Sequence, residues 1–560
     1  MRQHNNEAPR GDLPAMLRIA LQAGPRGIPW PSSGRLAKAN KTTLHYRQLT
    51  IGAAPMLSDA KETYLKVSKN VLNVLATEAF TDLAYYMSAV HLEKLAAIAR
   101  DTEASPEERL VAAALIKNAV IAAEGVLPIC QDTGTATVVA WKGEGIRTNA
   151  DDAAVMSAAI REVWRKNHLR YSQVAPLTMF DEKNTGTNLP AQIDIYAVPG
   201  KEYHFLFIAK GGGSANKTIL LQASKSALNE AALEKVLTEQ IRALGVAACP
   251  PYHLGVLIGG TSPERNLRAL KLATAGYLDE LPVQGTPDGV PFRDLAWEKR
   301  VMKIAEKTGF GAQFGGKHLL LDARVIRLPR HAASCPISIG VSCCAHRNIR
   351  GKITTEGVLL EELEKAPARF LEACQNIPGA FDHIDLDQPF ANILTALKKY
   401  KAGSLVLLDG TLVVARDMAH ERFIQALRSG RGVPDYLKKH PVFYAGPSET
   451  PPGKVIGSLG PTTAQRMDSY APELMAQGAS LVMLAKGNRS PKVAEACRKF
   501  GGCYLGTIGG AGALIAQEHV VAAEVIDFAD LGMEAVRRIK VKNLPALIIF
   551  DCGGRSAFKS

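Results

Sequence analysis

The most reactive side chains in this sequence are cysteines and cations that stand in turns. Cys130 lies in Leu127-Pro128-Ile129-Cys130-Gln131-Asp132-Thr133-Gly134-Thr135, where a proline-led turn runs into a polar, glycine-closed loop. A thiol, an amide and a carboxylate side by side make either a metal ligand flanked by a polar contact and an acid/base group, or a buried cysteine beside a turn that Asp132 caps. Cys249 opens Cys249-Pro250-Pro251-Tyr252-His253. Proline keeps that backbone out of any ladder, which suits a ligand held by irregular chain and equally a buried cysteine before a rigid turn. Further on, His331 sits beside Arg327 and Arg330 in a Pro/Ser-rich stretch that ends at Cys335, and Ile339-Gly340-Val341-Ser342-Cys343-Cys344 follows. A histidine in that company leans toward anion binding or acid/base work. No CxxC pair occurs among the nine cysteines, so a metal site must gather its thiols from distant loops.

A second set of motifs is built for anions. Lys210-Gly211-Gly212-Gly213-Ser214-Ala215-Asn216-Lys217-Thr218 follows a strand-like run and precedes a helix-like one over 219–228. Three glycines let backbone N–H groups approach a carboxylate or phosphate, although Asn216 stands where a phosphate-binding loop has its last glycine. The alternative is a tight turn. Arg416-Asp417, Gly460-Pro461-Thr462-Thr463-Ala464-Gln465-Arg466 and Lys486-Gly487-Asn488 add two guanidiniums, an ammonium and two hydroxyls. Together these can grip a dicarboxylate and move a proton.

These loops need elements to position them. At 560 residues the chain is long enough for two to four domains, and 47% hydrophobic content supplies real cores. No apolar run approaches the ~18 residues of a membrane span. Residues 1–50 form a basic leader with eight Lys/Arg against Glu7 and Asp12, including a short amphipathic piece near Leu13–Ala23. It reads as a disordered tail or a mitochondrial transit peptide, the protein being otherwise cytoplasmic. The net charge of +13 invites nucleic acid, but without a basic helical stripe or an RNA-binding aromatic motif it suits an anionic small molecule at least as well. Helical spacing dominates 57–124, with Ser105-Pro106 opening a helix over 107–124. Strand-like runs at 137–141, 192–198, 203–210 and 254–259 then alternate with helices. A helix from about 359, followed by an Asp/Pro-rich stretch at 376–388, makes 352–385 the linker. The expected architecture is mixed α/β in two domains, 51–351 and 386–560.

Seven motifs in this order resemble the class I, iron–sulfur fumarate hydratases over about residues 60–555, including Asp530-Leu531-Gly532-Met533-Glu534 near the end. The single chain is similar to a fusion of the two tartrate dehydratase subunits. The resemblance implies an N-terminal α/β domain that carries a 4Fe–4S cluster, with a smaller C-terminal α/β domain closing over it as a swivelling unit. It implies that Cys130, Cys249 and Cys343 hold the cluster and leave one iron open. Gln131, Arg170, Gly213, Arg416 and Arg466 would bind substrate, with Asn216, Lys217 and Thr463 as further contacts. Thr462 would act at C3 of malate, Asp132 would protonate the departing hydroxide, Lys486 or a helix N-terminus would activate Thr462, and His331 would support the site. The implied reaction is the reversible hydration of fumarate to (S)-malate, a tricarboxylic acid cycle step, in an oxygen-labile homodimer. Cys344, His346 and Gln465 depart from the family's pattern, as does Ile508–Gly512, which lacks an expected proline. The alternatives are a tartrate or methylfumarate type of hydro-lyase and a cluster-sensing nucleic-acid-binding protein. The intact set of Asp132, Thr462 and Lys486 argues against the latter.

Overall fold

In the computed structural model, residues 44–50, 56–58, 63–375 and 381–558 are described. The amphipathic piece near Leu13–Ala23 and most of the basic leader lie outside these residues. Among the described residues no helix is long and apolar enough to cross a membrane.

The N-terminal half is a stack of layers. A six-stranded sheet runs Tyr46–Gln48, Gly357–Glu361, Asn348–Thr354, Tyr203–Lys210, Thr135–Gly143, Gln192–Val198. A five-stranded sheet runs Ile219–Ala223, Cys335–Ser342, Tyr252–Gly260, Leu320–Arg330, Phe292–Arg293. Both faces of each sheet are apolar and both are covered. Phe205, Phe207 and Val138 pack on helices Lys69–Tyr85 and Asp152–Lys166. Val256 and Val325 pack on helices Glu230–Leu244 and Leu295–Glu306. Val139 and Leu206 of one sheet share a core with Leu257 and Ile326 of the other through helix Pro263–Thr274. Strands buried on both faces lose strict alternation, so their sequence reads as short continuous apolar runs.

The C-terminal half is a closed sheet. Leu405–Val414, Val442–Phe443, Val482–Ala485 and Cys503–Gly506 run parallel, and the long antiparallel strand Val536–Phe550 joins the last of them back to the first. Helices Ala89–Arg100 and Pro106–Ala122 belong to the N-terminal half in sequence but share a core with this barrel. The second of these opens on a capping box in which the Ser105 hydroxyl and the Glu108 carboxylate bond each other's backbone N–H.

Three elements differ from the sequence pattern. Thr63–Val67 is a strand rather than helix, pairing with Ile146–Thr148. Ile219–Ala223 is an edge strand on Cys335–Ser342 rather than the start of a helix, because tertiary pairing overrides local spacing. Residues 352–385, expected as a linker, carry the hairpin of Asn348–Thr354 and Gly357–Glu361 in the N-terminal sheet. They also carry a 3₁₀ helix at Pro367–Cys374 in place of the helix expected from 359, and the strand Asp382–Asp385 in the C-terminal sheet.

Candidate active site between the two halves

Sheet register explains why distant thiols meet. Cys249 precedes strand Tyr252–Gly260, and Cys343 follows strand Cys335–Ser342, which runs antiparallel to it with His253 opposite Ser342. Both thiols therefore leave the same end of the five-stranded sheet. Cys130–Asp132 precedes strand Thr135–Gly143, whose Thr135 pairs with Lys210 at the start of the glycine loop. The chain crosses from one sheet to the other through Cys343–Arg347, bringing these two sheet ends together. Gly134 makes the turn beneath Asp132 at φ +84°, where a side chain would strike the Lys210 carbonyl.

The barrel supplies the opposite wall. Arg416, Lys486 and the 507–511 loop all follow the carboxyl ends of parallel strands, and Thr462 follows the short strand Leu459–Pro461. Side chains stitch the walls together. Lys486 Nζ donates to Cys249 Sγ at 2.8 Å, Thr463 Oγ1 to the Ala247 carbonyl at 3.2 Å, and Ser458 Oγ to the Pro128 carbonyl at 2.5 Å. Buried Asn118 ties the two sides at once, donating to the Ile129 and Gly510 carbonyls and accepting from Leu514 N–H.

The electrostatics are those of thiolates and carboxylates among cations. Cys249 lies in the left-handed region at φ +61°. Its thiol is lowered to about 6 by a hydrogen bond from Cys344 and by the Lys486 ammonium, against the penalty of burial. Cys130 is pushed up to about 12 by burial. Lys486 would lose charge through burial, but Cys249, then Cys130 and Cys343, hold it protonated. Burial also opposes the Asp132 charge, yet Arg170, Arg347, Lys486 and the Gly212 N–H at 2.9 Å keep its carboxyl below the usual carboxylate range. Arg170 is lowered to about 10 by burial and by the neighbouring Arg416, and among the described residues no carboxylate pairs with it. Arg416 pairs with Glu534, and Arg466 reaches Asp417 at 2.7 Å and the Thr462 hydroxyl at 3.1 Å. Gln131 is buried with Nε2 3.4 Å from the Pro461 carbonyl.

Not every residue singled out from sequence is gathered here. His331 lies in the exposed turn joining Leu320–Arg330 to Cys335–Ser342, at the far end of the strands from Cys249, where its Nδ1 accepts from Ala333 N–H. Lys217 donates to the Ala243 carbonyl in the last turn of helix Glu230–Leu244. Asn216 is exposed at the end of the one-turn helix Gly212–Ala215. A side chain on Gly213 would come within 3.7 Å of Lys486 Nζ, so its bare backbone faces the site. The Lys486 ammonium is engaged with Cys249, and it is Arg466 that donates to the Thr462 hydroxyl; the Lys486 amide donates to the Thr462 carbonyl at 3.2 Å.

Residues without a local motif complete the surroundings. Arg347 donates to the Asp132 carbonyl at 2.7 Å. Gln313 donates to the Pro250 and Gly509 carbonyls at 2.9 Å each. Behind the Cys343–Cys344 loop, His91 Nε2 meets the Cys344 carbonyl at 2.8 Å and His91 Nδ1 meets His253 Nε2 at 2.9 Å. His253 Nδ1 then meets both Asp322 oxygens at 2.9 Å.

Among the described residues no three His, Cys, Asp or Glu side chains close on a single ion. Cys130, Cys249 and Cys343 all act on the Lys486 ammonium, so they border one space while standing too far apart for one metal. That donor set fits a polynuclear group in which each thiolate takes its own metal. A Cβ on Gly509 would reach within 2.4 Å of Cys249 Sγ, so the wall there is bare backbone.

The comparisons with known proteins agree across both halves. Residues 74–352 match the family model described as fumarate hydratase, and 357–560 match fumarase C-terminus. The chain is 49% identical over 497 residues to fumarate hydratase class I, aerobic, of Escherichia coli K12, covering 88% of this chain and 91% of that one. It is 47% identical over 521 residues to the anaerobic class I enzyme of the same organism, covering 93% and 95%. Against fumarate hydratase 1, mitochondrial, of Leishmania major it is 47% identical over 503 residues, covering 88% and 91%. With both of its sheet systems matched and its thiols and cations facing one another across their junction, the chain belongs to the class I fumarate hydratase family.

Proposed function

We propose that this hydro-lyase carries out its reaction, the reversible hydration of fumarate to (S)-malate, between the two halves at a 4Fe–4S cluster held by Cys130, Cys249 and Cys343. The bound cluster supplies an open iron as Lewis acid for the hydroxyl and one carboxylate. The residues of the chain do the rest. Arg170 and Arg416 take the remaining carboxylate, with Gln131 and the Gly213 backbone fixing its orientation. In the malate direction Thr462 first loses its hydroxyl proton to solvent; the resulting alkoxide, whose charge the donating Arg466 guanidinium stabilises, takes the C3 proton and becomes the neutral hydroxyl again. Asp132, which must first take up a proton from solvent because its neighbours favour the ionised form, delivers that proton to the departing hydroxide. In the hydration direction its ionised carboxylate instead accepts one from water.

The observation that carries this reading is the 2.8 Å contact of Lys486 Nζ with Cys249 Sγ, which joins the thiol wall to the cation wall. The test is anaerobic reconstitution followed by ultraviolet detection of fumarate formed from (S)-malate, before and after exposure to air. Turnover that dies in air and returns with iron and reductant is expected, and a protein that takes up no cluster would overturn the ligand set. The proposal includes a homodimer. Its support in the structure is the hairpin of Val174–Pro176 and Glu182–Asn184, whose tip leaves Met179 87% and Phe180 92% exposed; sedimentation tests it. It also includes mitochondrial targeting by the basic leader, tested by fractionation and N-terminal sequencing of the mature protein.

A further inference from the structure

Two thiols near the site lie against each other. Cys344 is fully buried, and its amide donates to the Cys249 carbonyl at 3.0 Å, so the two side chains leave directly neighbouring backbone. One loop covers both sulfurs. A Cβ on Gly509 would come within 2.4 Å of Cys249 Sγ, and one on Gly510 within 2.4 Å of Cys344 Sγ. Cys344 Sγ also lies 3.5 Å from the Gly509 carbonyl, with the Gln313 amide at 4.0 Å. Since Gln313 is bonded to Pro250 and Gly509 as well, the loop is pinned around the pair. From the other side Lys486 Nζ donates to Cys249 Sγ at 2.8 Å. None of the proton transfers described above uses Cys344.

We propose that Cys249 and Cys344 form a reversible disulfide when a hydroperoxide meets the cluster-stripped protein, and that this bond gates cluster reloading. The inference rests on Cys249 being a cluster ligand. The Cys249 thiolate attacks the peroxide oxygen, the O–O bond breaks, and an alcohol or water leaves with a proton, giving a sulfenic acid. The Cys344 sulfur then attacks the sulfenic sulfur, the S–O bond breaks, and the Cys344 proton departs with the hydroxyl as water. Two thiols and one hydroperoxide thus give one disulfide, one alcohol and one water. A dithiol reductant reverses the bond by exchange. The disulfide ties up the Cys249 sulfur and keeps it from irreversible oxidation to the sulfinic acid.

The experiment uses the full chain stripped by a chelator under argon, reduced, desalted and treated with one equivalent of hydrogen peroxide. We expect the loss of two free thiols, a Cys249–Cys344 linked peptide by mass spectrometry, and at least a tenfold fall in cluster absorbance regained on reconstitution, reversed by a dithiol. Cys344→Ser, with Cys344→Ala as a second variant, should reload normally when reduced but lose dithiol-reversible recovery after peroxide, as Cys249 sulfinic acid accumulates. A link from Cys249 to Cys130 or Cys343, a Cys343–Cys344 bond, or undiminished reloading of the oxidised protein would overturn the proposal. Failure of the reduced protein to take up any cluster would instead count against the ligand assignment, with the peptide map still reporting on the disulfide.

Discussion

On the N-terminal wall, Cys130, Gln131 and Cys249 are each less than a tenth exposed, and the loops that carry them are fastened by bonds from Asn118, Ser458 and Gln313. On the barrel wall, Arg466 leaves 44% of its side chain in solvent, and both Arg416 and Arg466 are occupied by carboxylates of the same wall, Glu534 and Asp417. Thiols that hold an inorganic group must be set in advance, because a misplaced ligand loses its bond outright. The exposed Arg466 can wait in an exchangeable ion pair, since an incoming carboxylate replaces a like partner at little net cost, whereas Arg416, 6% exposed, is held in place by Glu534. The buried wall therefore fixes the place of reaction, and the barrel wall provides for turnover.

The sharpest way to break this comparison is Cys343→Ala. It should abolish iron uptake and lower activity by roughly 10⁴-fold or more, with iron per chain and visible absorbance as readouts. Cys343→Ala that retains a full complement of iron would remove the partly buried Cys343 from the ligand set. Thr462→Val should keep its iron and its KM while kcat falls by about 10²–10⁴-fold, the usual size of a lost proton-transfer group. A fall in cluster content there would mean that the two walls are not separable. Arg416→Lys should raise KM by roughly tenfold with a smaller loss of kcat, since lysine cannot reproduce the planar guanidinium grip.

The smallest effect expected is on pH dependence. The Asp132 carboxyl titrates below the usual carboxylate range in the folded chain. The stability it contributes is therefore complete above its unfolded value, near 3.9, and is lost as pH falls through the depressed folded value. The acid limb of kcat/KM for fumarate should lie below about pH 4 for the same reason, and acid unfolding of Asp132→Asn should lack this component.

Much of this was legible in the residues themselves. Strands 192–198 and 203–210 have the bounds their apolar runs predict, and the Lys486 and Cys249 loops, each singled out by its own motif, meet at 2.8 Å. Motifs report what is local and do not say where a side chain turns. Lys217 belongs to a glycine-rich run but turns to cap a helix, and His331 follows two arginines but lies in an exposed turn at the end of the strands far from Cys249. Asn118 and Gln313 act between elements hundreds of residues apart, with no neighbouring residues to announce them. Ile219–Ala223 was hidden because an edge strand takes its conformation from its partner.

The histidine pair behind Cys344 has a consequence that follows from counting protons. The Cys344 carbonyl at one end and the Asp322 carboxylate at the other can only accept hydrogen bonds. Three bonds in series between them require three protons, whereas two uncharged imidazole rings bring two. Burial pushes both rings down, His91 to about 3, while the Asp322 carboxylate, which Lys94 and Arg324 hold ionised, pulls His253 the other way. With both rings uncharged, one of the three contacts has no proton to share, so the relay closes completely only when the pair takes one up. The peptide that follows Cys344, next to the third thiol, is thus tied through two rings to the Asp322 carboxylate.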